Sequence, residues 1–99
     1  MFIRISVLFL VFAGISTAGE RSNGLEIFFI DTEGGAATLI VTPARESILI
    51  DTGNPGSRDA ERIHQTATKQ AGLTAIDHLI TTHWHLDHYG GVARLAKLM

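Results

Sequence analysis

The chain has 99 residues, a net charge of −2 and no cysteine. The missing thiols exclude a disulfide scaffold, a thiolate zinc knuckle, a cysteine nucleophile and a lipidated cysteine, leaving only His, Asp and Glu to hold a metal. Eight Lys and Arg residues are scattered among ten acids, so no basic stripe signals nucleic acid or an anionic membrane surface. A phosphodiester substrate stays open, because metal alone can handle one phosphate.

Arg4 precedes an apolar stretch from Ile5 to Ile15, and the small residues Ser16 and Ala18 follow. This pattern predicts a signal peptide over 1–18 with cleavage before Gly19, and a secreted or periplasmic product. The stretch falls short of the ~20 residues a spanning helix needs, so no stable membrane span is expected after cleavage. The remaining 19–99 segment is read as one domain, of a size at which a single core is marginal without metal or a partner.

Leu25 to Asp31 is rich in β-branched and aromatic residues and ends at Thr32-Glu33-Gly34-Gly35, predicting a strand and a turn. Ala36 to Thr42, broken by Pro43, and Ser47 to Asp51 predict two further strands joined by short connections as a meander or pair of hairpins. After the Thr52-Gly53-Asn54-Pro55-Gly56 loop, Ser57 is placed to cap a helix whose buried stripe is Ala60, Ile63, Ala67 and Ala71, ending at Gly72. Asp59 and Glu61 read as solvated charges on that helix. Leu73 to Thr82 returns to strand composition and runs into His83. From Gly91, the pattern Val92, Leu95, Ala96, Met99 starts another amphipathic helix, and the chain ends within it with neither cap nor breaker, as a truncated chain would.

Three of the five histidines fall in Thr82-His83-Trp84-His85-Leu86-Asp87-His88-Tyr89-Gly90-Gly91. In an extended segment residues two apart share a side, so His83 and His85 converge on one ion while Asp87 and His88 reach in from the following turn. Trp84 and Leu86 then face the other way, where they pack on apolar surface and stiffen the ligand segment. Imidazole with carboxylate and no thiolate suits zinc, with iron or manganese as alternatives. Gly90-Gly91 lets the backbone turn closely behind the ligands, and a helix starting there directs its positive end toward the site. Asp51, taken from its own context, reads as a turn aspartate that hydrogen-bonds its own backbone before Gly53. His64 and His78 read as surface residues, and Asp31 as a strand-end turn residue. No Gly-x-Ser-x-Gly elbow, phosphate-binding Gly-x-x-x-x-Gly-Lys or dinucleotide Gly-x-Gly-x-x-Gly occurs.

Thr-His-x-His-x-Asp-His followed by Gly-Gly is similar to the signature of the metallo-β-lactamase superfamily, and Ile48-Leu49-Ile50-Asp51-Thr52-Gly53 resembles its strand-and-turn element. Phe29-Ile30-Asp31 with Gly34-Gly35 resembles the secreted competence-protein-like branch, which usually has Asp where Ala36 stands. The resemblance implies an α/β (α+β) chain forming the N-terminal half of an αββα sandwich with two metals, His83 and His85 binding one, Asp87 and His88 the other. It also implies that Asp87 orients a bridging hydroxide, that Asp51 sits behind the ligands, and that the hydroxide attacks an ester, lactone, amide or phosphodiester. A catalytic zinc takes three protein ligands plus water, so these four residues cannot complete two sites. The missing half of the fold, or a partner chain, is needed. A half-sandwich would expose the apolar face meant for its partner sheet and would be prone to aggregate. The rival reading is a non-catalytic fragment binding at most one metal. Redox diiron members of the superfamily are disfavoured by His85, where a Glu would be expected.

Overall fold

The structure, a computed structural model, describes residues 22–99; the signal peptide expected over 1–18 lies outside them. Four strands form one sheet in the order β1-β2-β3-β4: β1 Glu26–Phe29, β2 Thr38–Val41, β3 Ser47–Ile50 and β4 His78–Ile80. The first three are the expected antiparallel meander, with Phe28 opposite Leu39 and Leu39 opposite Leu49. β4 joins β3 in parallel, with Leu49 opposite Leu79. Parallel neighbours need a crossover, and the intervening helix supplies it.

That helix is α1, Arg58–Gln65, continued without a break by the wider π turn Thr66–Gln70. Ala71 donates to the Thr66 carbonyl five residues back, and the Thr68 hydroxyl bonds the His64 carbonyl. Gly72, at φ 67°, then turns the chain out of the helix. Ser57 stands at the cap position but makes no side-chain cap hydrogen bond.

Alternation divides the sheet into two faces. Leu39, Val41 and Leu49 bury one face against the expected helical stripe of Ala60 and Ile63 in α1, Ala67 in the π turn and Ala71 just after it, all of them buried. α3, Val92–Leu98, closes this layer through Leu95, and Arg94 pairs with Glu61 across α1 and α3. The other face carries Ile27, Phe29, Ile40, Ile48, Ile50 and Ile80; among the described residues Ile27, Phe29 and Ile80 are exposed and Ile40, Ile48 and Ile50 are half-buried. Phe29 is 85% exposed.

Two side-chain clamps set the register. Asp77 Oδ2 accepts from the Ser47 amide (2.8 Å) and hydroxyl (3.0 Å), while the Asp77 amide donates to Ser47 Oγ (2.9 Å), fixing the start of β4 beside the start of β3. Arg45 pairs with Glu26 and donates to the Ala71 carbonyl, tying the β2–β3 turn to the end of the helix. Helices on one face of a mixed sheet make an α/β layer consistent with part of a metallo-β-lactamase sandwich.

Candidate metal centre

The motif lies beyond the C-terminal end of β4, beside the C-terminal end of β3. It is not extended as expected. The backbone bends over Thr82–Trp84, straightens at His85 and enters a four-residue helix α2, Leu86–Tyr89. His83 and His85 are therefore brought together by a bend rather than by strand alternation, with ring centroids 4.8 Å apart. His83 and His88 rings approach to 3.8 Å, and His88 Nε2 lies 3.6 Å from Asp87 Oδ2. Trp84 and Leu86 do not pack on apolar surface: they are 79% and 58% exposed, and Trp84 meets only the edge of Tyr89 at 5.5 Å.

Asp51 organises the cluster from beneath. It follows β3 in the left-handed region at φ 62°, a conformation Asp tolerates better than most residues, and is 2% exposed. Oδ1 accepts from the Thr82 amide (2.8 Å); Oδ2 accepts from the Thr82 hydroxyl (2.7 Å) and from His88 Nδ1 (2.8 Å). Burial opposes ionisation of Asp51, but the Thr82 hydroxyl, the His88 ring and the Thr82 amide together outweigh it and hold the carboxyl below its ordinary value.

With its proton committed to Asp51, the Thr82 hydroxyl accepts from His83 Nδ1 at 3.2 Å. Donation from Nδ1 in both bonds corresponds, in a neutral ring, to the Nδ1–H tautomer, with Nε2 carrying the lone pair. Thr82 is a site residue that the sequence did not single out, although it directly precedes His83.

The backbone holds the motif from two further sides. His88 O accepts from the Thr52 amide (2.7 Å) and Asp87 O from the Ala36 amide (3.3 Å). Gly90 and Gly91 have ordinary helical φ values of −60° and −80°, so the motif needs them for space rather than for backbone freedom. A Cβ on Gly90 would meet Pro55, and one on Gly91 the Thr52 carbonyl. The helix expected to begin at Gly91 is α3, and α2 already begins inside the motif at Leu86.

Asp59 differs most from its sequence reading. It is 1% exposed, not solvated, and its Oδ2 accepts from the Asn54 amide (2.7 Å) and side chain (3.0 Å) while Oδ1 accepts from Arg58 Nε (2.8 Å). Glu61 is the surface residue expected. Asp31 is 83% exposed and pairs with Arg62, and His78 is exposed and pairs with Glu46, so neither reaches the motif. His64 is half-buried on α1 and its side chain makes no hydrogen bond to the motif.

Three imidazoles, a carboxylate and a buried acceptor on the rear nitrogen of a histidine are the donor chemistry of a metal site, in which the outer carboxylate fixes the tautomer of the ligand. The residues present therefore fit a divalent metal by type and by the orientation of His88. They do not by themselves close around one: among the described residues no group of three or more His, Asp or Glu side chains is arranged to hold an ion.

A half-open α/β layer with a His-x-His-x-Asp-His cluster at the ends of its strands defines a class of metal-site protein. The sequence profile of the Metallo-beta-lactamase superfamily matches residues 30–98, and the chain belongs to that superfamily. It is 38% identical over 64 residues to lactamase-like protein notP of Aspergillus sp. (strain MF297-2), covering 65% of this chain and 19% of that protein. An atrochrysone carboxyl ACP thioesterase of Passalora fulva is 39% identical over 64 residues, with 65% and 19% covered. A UPF0173 metal-dependent hydrolase of Sinorhizobium medicae is 44% identical over 66 residues, with 64% and 25% covered. The matched segment thus spans about a fifth to a quarter of these relatives.

Proposed function

We propose that this chain is the ligand-bearing part of an exported zinc-dependent hydrolase of esters, thioesters, lactones, amides or phosphodiesters. The observation that carries the reading is the Asp51–His88 hydrogen bond of 2.8 Å beneath a cluster of motif imidazoles. His83 and His85 would hold one ion, and Asp87 and His88 a second, with further ligands from the rest of the fold or a partner chain. Bound there, the metal supplies an activated water and Lewis-acid polarisation of the scissile carbonyl or phosphoryl group.

The chain's own residues prepare that chemistry. Asp51 and Thr82 engage Nδ1 of His88 and of His83, which leaves the Nε2 of each ring outside this hydrogen-bond network. Asp87, in the first turn of α2, is partly exposed beside His88 Nε2 and would orient a water through its carboxylate. The metal-dependent hydrolase and thioesterase names of the relatives support a hydrolytic reaction. Export rests on the Arg4 to Ala18 pattern alone, and the competence-like affinity on Phe29-Ile30-Asp31 with Gly34-Gly35 alone.

A second reading is favoured by the absence of a three-ligand group among the described residues: the chain binds at most one metal and turns nothing over. Elemental analysis of the purified chain, alongside hydrolysis of generic thioester, lactone and phosphodiester substrates, separates the two. Two zinc ions per chain with turnover support the enzyme, whereas one without turnover supports the binding-only product. In both cases His83→Ala and His85→Ala should each lower zinc content to a small fraction of the parent's. Unchanged content in both variants would remove the site assignment.

A further inference from the structure

We infer that Asp59, which hydrogen-bonds none of the candidate ligands, is a positioning residue that locks the two loops gripping Asp87 and His88. The inference rests on the metal-centre reading and extends it to a buried carboxylate that makes no contact with the motif. Asp59 lies in the first turn of α1, where a carboxylate ordinarily faces water, yet it is 1% exposed. Burying a charge is costly unless it is paired and hydrogen-bonded, so the position calls for a role that a surface charge would not fill.

The partners of Asp59 supply that role. Its Oδ2 takes the Asn54 amide (2.7 Å) and side-chain nitrogen (3.0 Å), folding the β3–α1 loop back on the helix. The second Asn54 side-chain proton goes to the Glu33 carbonyl (2.8 Å) in the β1–β2 connection. Arg58 joins the same two places, pairing with Asp59 and with Glu33 at 2.7 Å. Between them Gly53, at φ 68°, donates to the Ala36 carbonyl (2.9 Å), and a Cβ there would lie 2.6 Å from Asp59 Oδ2. Asp59 thereby joins the two loops into one unit.

Each loop then gives one amide to the motif. Thr52, next to Gly53, donates to the His88 carbonyl at 2.7 Å, and Ala36, whose own carbonyl is held by Gly53, donates to the Asp87 carbonyl at 3.3 Å. The two motif residues assigned to one ion are thus held through their backbones by the loops that Asp59 joins. Outer partners of metal ligands change metal affinity by roughly 10–100-fold when removed. Asp59 acts one link further out, but on two ligands at once.

The test uses the full chain, with cobalt(II) as the probe and its ligand-field absorption as the readout, beside amide hydrogen exchange on the metal-free protein. Asp59→Ala should speed exchange at Ala36, Thr52, Gly53 and Asn54 by at least tenfold, weaken cobalt binding by roughly 10-fold or more and alter the absorption band. Asp59→Asn keeps an acceptor for Asn54 and should stay within a few-fold of the parent in both. Asn54→Ala, which leaves Asp59 and the helix intact, should reproduce a smaller part of the effect even if Asp59→Ala fails to fold. Ile63→Val is a core control that loosens the fold without touching the loops. If Asp59→Ala and Asn54→Ala change exchange and cobalt affinity no more than Ile63→Val does, the inference is overturned. If the parent chain binds no cobalt, the metal-centre reading falls, and the exchange pattern still decides whether Asp59 holds the loops.

Discussion

Asp51 receives three hydrogen bonds on two oxygens, and the charge it keeps is what makes His88 present Nε2 outward. An amide of the same shape would reverse that. In Asp51→Asn the carbonyl oxygen can still accept from the Thr82 amide, but the NH2 then faces His88 Nδ1 and must be met by a lone pair. The His88 proton moves to Nε2, where it blocks ligation, as the tautomer switch on Asp-to-Asn replacement does beside other buried histidines. The fold should lose only about 1–3 kcal/mol by urea unfolding. The His88 ring nitrogens, read by NMR on the metal-free protein, should exchange roles, and cobalt affinity should fall by roughly 10–100-fold. A variant whose His88 keeps its Nδ1–H would show that Asp51 does not set the tautomer. The sequence left Asp51 balanced between a turn residue and a support for the site; the left-handed backbone makes the turn, and the turn aims the carboxylate at Thr82 and His88.

At the scale of elements, what could be read from the sequence is what repeats locally. Ala60, Ile63, Ala67 and Ala71 recur at helical spacing because one stripe faces the sheet, and all four are buried. The three antiparallel strands were legible as short β-branched and apolar runs bounded by turn residues, because such residues pack on a pleated, half-buried surface. The bend at Thr82–Trp84 could not be read this way, since spacing of two is compatible with an extended segment and with a tight bend, and it is Asp51, thirty-one residues away, that holds Thr82 in it. Nor could the burial of Asp59, because a first-turn aspartate has the same local sequence whether its side chain meets water or Asn54.

Such long-range clamps carry a pH signature. Asp59 is held below its ordinary value because bonds from Arg58 and Asn54 outweigh the cost of burial, and Asp77 because the Ser47 amide and hydroxyl bond its carboxylate. Both are lowered in the folded chain, so the unfolded chain binds more protons near the carboxylate range. The stability they add is complete above the unfolded value of about 3.9 and is lost as pH falls through the lower folded values. Urea midpoints from about pH 6 to about pH 3 should therefore fall steeply only at the acid end, and less steeply in Asp59→Asn. A parent chain with a flat midpoint across that range would show that these clamps hold no net charge-dependent stability.

Among the described residues, one layer of helices packs on one face of the sheet and leaves the other partly in water. The paired rows Ile27, Ile40, Ile48 and Phe29, Thr38, Ile50, Ile80 run across the strands as a continuous apolar surface, with Phe29 at 85% and Ile80 at 49% exposure. In an αββα architecture a second sheet packs about 10 Å above such a face. Without it, contiguous apolar surface of this kind drives association. β4 adds to the tendency, because as an edge strand it offers unpaired backbone groups beside exposed Leu79 and Ile80. The purified chain should self-associate with rising concentration in sedimentation measurements and bind a hydrophobic dye. Phe29→Lys with Ile80→Lys, both at exposed positions outside the helix-side core, should suppress association and dye binding while leaving the urea midpoint close to that of the parent. The motif lies beyond the strand ends rather than on this face, so the double variant should also retain its metal. A chain that stays monomeric and dye-free without these substitutions would show that the face does not drive association.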